Sequence, residues 1–139
     1  MNENQQINLS NALETFVSSV ADLRKYWDDY LIDEYNNGEY EREYFADLAK
    51  IAGYIVEKWK RKETDDFEEL FAALEEIFTK CHPTTCSIIS AGLLEHIQAH
   101  KDIDYYFGFN KWLKPKTQEW WDVGIDYWEG ADWKKKNIS

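Results

Sequence analysis

The chain has 139 residues, with 27 acidic side chains against 16 basic ones and a formal net charge of −11. Hydrophobic residues make up 44% and charged residues 31%, a balance that excludes a disordered chain. No apolar run approaches the ~18 residues of a membrane-spanning helix, and the acidic balance argues against nucleic acid as a direct partner, because phosphate contacts require clustered Lys and Arg.

Length implies one domain, residues 1–139, able to bury roughly two-thirds of its unfolded surface, with 1–9 and 131–139 as frayed tails. The opening Met-Asn-Glu-Asn-Gln-Gln lacks the basic-then-apolar order of a secretory signal, so a cytoplasmic location is expected. Two cysteines are too few for a disulfide framework. Seven Trp, nine Tyr and seven Phe are an unusual load, suited both to core filling and to binding.

Helical periodicity dominates the chain. From Leu13, the residues Phe16, Val17, Val20, Leu23, Trp27, Tyr30 and Leu31 draw one stripe on a long helix, with Ser10 or Asn11 as its N-cap and Asn36-Asn37-Gly38 as its end. A second helix carries Phe45, Leu48, Ala52, Ile55 and Trp59, and its basic exit (Lys58, Lys60, Arg61, Lys62) complements the helix dipole. Thr64-Asp65-Asp66 opens a third helix with the stripe Phe67, Leu70, Phe71, Leu74, Ile77 and Phe78, closed by His82-Pro83. A fourth, from about Thr85 to Ala99, is apolar over much of its surface (Ile88, Ile89, Leu93, Leu94, Ile97), which predicts a central position. Residues 102–110 read as irregular or a single turn. Pro115 begins a final helix with Trp121, Ile125 and Trp128 on one face, and Glu129-Gly130 closes it. The fold class is therefore all-α, a single compact bundle of about five main helices with short connections.

Charge is unevenly placed. Residues 1–80 hold 19 acids and 9 bases, whereas residues 81–139 hold 8 and 7. Between Tyr26 and Asp47 the net is −7, and the acids are interleaved with tyrosines. Such a density of like charge costs stability unless water or a partner screens it. Asp28, Asp29, Tyr30, Asp33, Glu34, Tyr35, Glu39, Tyr40, Glu41 and Glu43 therefore form a candidate protein-binding surface, with tyrosines as anchors and carboxylates for steering. The competing account is a solvated face that serves solubility alone.

Catalytic and metal patterns fare worse. Cys81, Cys86, His96 and His100 have a spacing that superficially suggests a zinc finger, but the spacer is short and Ser87 to Glu95 reads as helix where a hairpin is required. A three-histidine site from His82, His96 and His100 lacks supporting carboxylate motifs, and Cys86 reads as a small buried residue. There is no nucleophile elbow and no Gly-rich phosphate loop. No enzyme activity, cofactor or metal is expected.

The second half, roughly residues 67–130, resembles an uncharacterised family of small, all-helical bacterial proteins. The matching residues are Gly92-Leu93-Leu94-Glu95-His96-Ile97-Gln98, Trp112-Leu113-Lys114-Pro115, Trp120-Trp121 and Tyr127-Trp128-Glu129-Gly130, with Lys114 standing where Gly is common. Some such proteins serve as immunity proteins for polymorphic or contact-dependent growth-inhibition toxins. The resemblance implies that Leu93 and Ile97 pack, that Glu95 and Gln98 hold a buried polar contact, and that Trp121 and Trp128 face the core. It also implies a partner: the C-terminal domain of a cognate toxin, a basic nuclease such as an RNase. Charge and hydropathy point to no direct nucleic-acid or membrane partner, and a monomer is favoured, though the sequence does not fix the oligomeric state. The alternatives are a helical adaptor for another basic protein, or a His-dependent metalloenzyme.

Overall fold

The apolar stripe that begins at Leu13 does not run unbroken. In the computed structural model, which describes residues 8–35, 43–100, 103–105 and 107–133, it is divided between α1 (Leu9–Val17) and α2 (Ala21–Tyr35). Asn8, rather than Ser10 or Asn11, caps α1 by accepting the Asn11 N–H at 2.9 Å. The break falls at Ser18-Ser19-Val20. Ser19 donates its hydroxyl to the Phe16 carbonyl at 2.6 Å, the local competition by which serine ends helices. Arg24 spans the corner, pairing with Glu14 of α1 and with Asp28 on its own helix, and donating to Ser18 Oγ at 3.1 Å.

Helix α3 (Tyr44–Lys60) buries Leu48, Ile51, Ala52, Ile55 and Val56. Phe45, expected on this stripe, is instead 54% exposed at the first turn. In α4 (Phe67–Lys80) all six residues of the expected stripe are buried. The fourth predicted helix is a rod in three parts: α5 (Pro83–Ile89), a π-helical turn (Ser90–Leu94) and α6 (Glu95–Gln98). Its backbone stays in the right-handed helical region through both junctions. As its width predicts, the rod is central, with Ile89, Leu93, Leu94 and Ile97 inside the core. Gly92 makes this position possible, because a Cβ there would come within 2.5 Å of Leu48 Cδ1 on α3. His82 caps α5 by accepting the Thr84 N–H at its Nδ1, with Pro83 in the first turn. Cys81 and Cys86 flank that cap; both are buried, as expected for Cys86, and they are joined as a disulfide. Among the described residues there is no β-strand.

The irregular segment after α6 supplies the centre of an aromatic cluster. Phe109 is fully buried and packs on Trp59, Phe67, Phe71, Trp112 and Trp121, with the Trp121 ring centroid 5.3 Å away. Helix α7 (Pro115–Glu129) follows. Trp121 is buried, donating its indole N–H to the Tyr105 carbonyl, and its own carbonyl accepts from the buried Gln98 amide at 2.9 Å. Gly124 leaves room for that amide, since a Cβ would collide with Gln98 Oε1. Trp128, expected to face the core, is 46% exposed. The chain turns at Gly130, where φ is +91°, and brings Trp133 back into the core with its indole N–H on Asp126 at 2.6 Å. The expected tail therefore begins no earlier than Lys134, and Leu9 already belongs to α1.

Helix α7 takes its N-terminal cap from another helix. Glu75 of α4 accepts the N–H groups of Lys116 and Thr117 at 3.0 and 2.8 Å and the Thr117 hydroxyl at 2.9 Å. This places a carboxylate at the positive end of the α7 dipole and satisfies amides that the helix itself cannot. Partial burial works against the charge, but those three donors outweigh it and hold the carboxyl below its ordinary 4.5. A depressed folded-state value means that Glu75 contributes its stability above pH 4.5 and loses it as pH falls through the folded value. Glu75→Ala should cost about 2 kcal/mol in urea unfolding at pH 7, with a smaller difference from wild type at pH 3; an equal cost at both pH values would refute the capping role.

Candidate functional site

The acidic, tyrosine-rich corner lies where α2 meets the start of α3. Asp47 stands on the buried side of α3, fully inaccessible, beside Leu48 and Ile51. A buried carboxylate requires donors, and tyrosines of α2 provide them. Tyr30 donates to Asp47 Oδ1 at 2.7 Å, and Tyr35 donates to the same oxygen. The Tyr35 oxygen in turn accepts the Glu43 N–H at 2.9 Å. The two rings meet edge to face at 6.0 Å. Burial first, and the Asp47 hydrogen bonds second, push both phenol groups above their ordinary 10.

This geometry corrects the anchor role assigned to two of the tyrosines. Tyr35 is buried and Tyr30 is half-buried, so both point inward and fasten α2 to α3. Tyr26 does similar work, its ring packing at a tilt on Tyr54 of α3 with centroids 5.0 Å apart. Glu39, Tyr40 and Glu41 lie outside the described residues. The carboxylates Asp28, Asp29, Asp33, Glu34 and Glu43 are exposed, as a binding surface requires. Asp28 pairs with Arg24, whose hydrogen bond holds the Asp28 carboxyl below its ordinary range, and Asp29 pairs with Lys25 at 3.0 Å. Asp33 and Glu34 have no ion pair among the described residues. With Tyr30, Ala46, Ala49 and Lys50 they border an open groove of about 520 Å³ between α2 and α3.

Ile32 was missing from the sequence-derived surface. It is 52% exposed and stands on α2 three and four residues beyond Asp29 and Asp28. Its signal was its failure to fall on the Trp27–Tyr30–Leu31 stripe. An exposed apolar side chain set among carboxylates combines contact area with charge, the pairing found at binding surfaces.

Among the described residues, no three His, Cys, Asp or Glu side chains are placed to hold a metal ion, and the disulfide occupies both sulfurs of the zinc-finger-like spacing.

Fold and surface together define an acidic, all-helical protein with exposed carboxylates along α2. By sequence the chain matches, over residues 13–129, the model of a family described as a domain of unknown function (DUF7674), and it belongs to that family. No curated protein and no solved structure matches it.

Because two hydroxyls converge on one carboxylate oxygen, Asp47→Ala should cost about 3 kcal/mol in chemical denaturation, more than Tyr35→Phe at about 1 kcal/mol. In a double-mutant cycle the two losses should fall short of additivity; strict additivity would show that Tyr35 is held by something other than Asp47.

Proposed function

We propose that the chain is a cytoplasmic immunity protein that binds one cognate toxin domain and neutralises it stoichiometrically, with no catalysis of its own. The observation that carries this reading is the exposed surface of α2, where Asp28 and Asp29 flank Ile32 and Asp33 and Glu34 border the groove to α3. A nuclease cleft must be basic to hold phosphates, so an acidic inhibitor meets it with complementary charge. An RNase domain of the contact-dependent growth-inhibition kind fits this chemistry. The net charge of −11 extends that attraction beyond contact distance and raises association rates toward about 10⁸ M⁻¹s⁻¹. Ile32, flanked by Asp28 and Asp29, supplies apolar area around which ion pairs lose water.

The inward tyrosines serve this role indirectly. By pinning α2 to α3 through Asp47 they hold the carboxylates in a fixed array, so that little ordering cost remains for binding. No described helix is long and apolar enough to cross a membrane.

The test is co-expression with the toxin domain encoded in the adjacent reading frame. Wild-type chain should restore growth. The quadruple variant Asp28→Lys, Asp29→Lys, Asp33→Lys, Glu34→Lys should associate at least about tenfold more slowly at low salt, with a flatter salt dependence and an unchanged far-UV circular dichroism spectrum. Absence of protection by wild type would sink the immunity reading. Protection with unaltered kinetics in the variant would move the interface away from α2.

A further inference from the structure

A second concave surface borders the central rod. Where the π turn and α6 meet the end of α7, a cavity of about 190 Å³ is bounded by Ala91, Glu95, His96, Ala99 and Trp128. Ala91 and Ala99 lie four residues before and after Glu95 and offer only methyl groups there, which leaves the space open. Trp128 keeps 46% of its surface exposed, and Tyr127, 76% exposed, meets its ring at 5.2 Å in an edge-to-face contact that steadies the indole.

Glu95 is the unusual member. It is half-buried, yet among the described residues it has neither an ion-pair partner nor a hydrogen-bond donor for its side chain. Partial burial pushes its carboxyl above the ordinary 4.5, with neighbouring His96 acting in the opposite sense. A carboxylate drawn partly out of water and left without a partner is destabilising until a cation arrives. The exposed face of an indole attracts the same kind of group.

We propose that this cavity receives the guanidinium of an arginine side chain from a partner protein, paired with the Glu95 carboxylate and stacked on Trp128. A planar guanidinium uses both features at once, whereas a lysine ammonium is more strongly hydrated and has no face to stack. A metal ion is a poor match, since a single carboxylate borders the space. The chain's net charge of −11 draws basic proteins toward this face as it does toward α2. The site is independent of the α2 surface, so failure of the charge reversal there leaves it standing.

The experiment titrates the full, isotope-labelled chain with N-acetyl-arginine methylamide and follows amide and indole N–H resonances. Saturable shifts should be confined to residues 91–99 and 127–129, with an affinity of about 1 mM. The lysine analogue should bind at least about threefold more weakly, and the uncharged citrulline analogue should not saturate. Glu95→Gln should weaken arginine binding about tenfold and Trp128→Leu about fivefold. Both side chains reach the surface, and an unchanged circular dichroism spectrum verifies the fold of each variant. Equal shifts with citrulline, shifts mapping elsewhere, or undiminished binding by folded Glu95→Gln would each overturn the assignment.

Discussion

Phe109 is the group on which the rest of the structure depends. It comes from an irregular stretch between α6 and α7, yet it is fully buried and touches rings from α3, α4, α7 and its own segment. An aromatic side chain in such a position buries far more apolar area than the few residues flanking it would otherwise contribute. The connection behaves as a wedge that fixes the spacing between α4 and α7 and, through Trp59, the end of α3. Beside the wedge, Gln98 ties α6 to the Trp121 carbonyl, and Glu75 ties α4 to the start of α7. The second half of the chain is therefore locked by aromatic contacts and by polar contacts between elements distant in sequence.

Much of the helical order was legible because it is written in local rules. Helix α4 shows an uninterrupted three-and-four spacing between a capping cluster and a proline, and every residue of that stripe is buried. Pro115 and Gly130 mark α7 with comparable clarity. The break at Ser18–Val20 was hidden because Val17, Val20 and Leu23 keep a three-residue step across it, so the apolar pattern continues while the backbone turns. The π turn was hidden for a related reason: the extra residue keeps Leu93 and Leu94 inward, and only the proximity of Gly92 to Leu48 reveals why a wider turn is useful.

At the acidic corner, composition indicated which residue types gather there but not which way they face. Tyr30 lies on the same stripe as Trp27, and Asp47 shares the buried side of α3 with Leu48 and Ile51. These periodicities were the available sign that the corner contains an internal polar bond. The existence of that bond depends on two helices meeting, which a single sequence does not state. Trp128 is the converse case: its spacing from Trp121 puts it on a core-like face, but α7 outruns the core by that point, and the ring emerges beside Glu95.

The Cys81–Cys86 link closes a very short loop, five residues apart in sequence. Short loops gain little from closure, about 2 kcal/mol in the chain-entropy account. The same bend is already enforced by the proline in the first turn of α5 and by the imidazole cap on Thr84, neither of which involves sulfur. Reduction would thus leave two inward-facing thiols on an otherwise intact elbow. The elbow therefore has two supports that do not depend on the oxidation state of its cysteines.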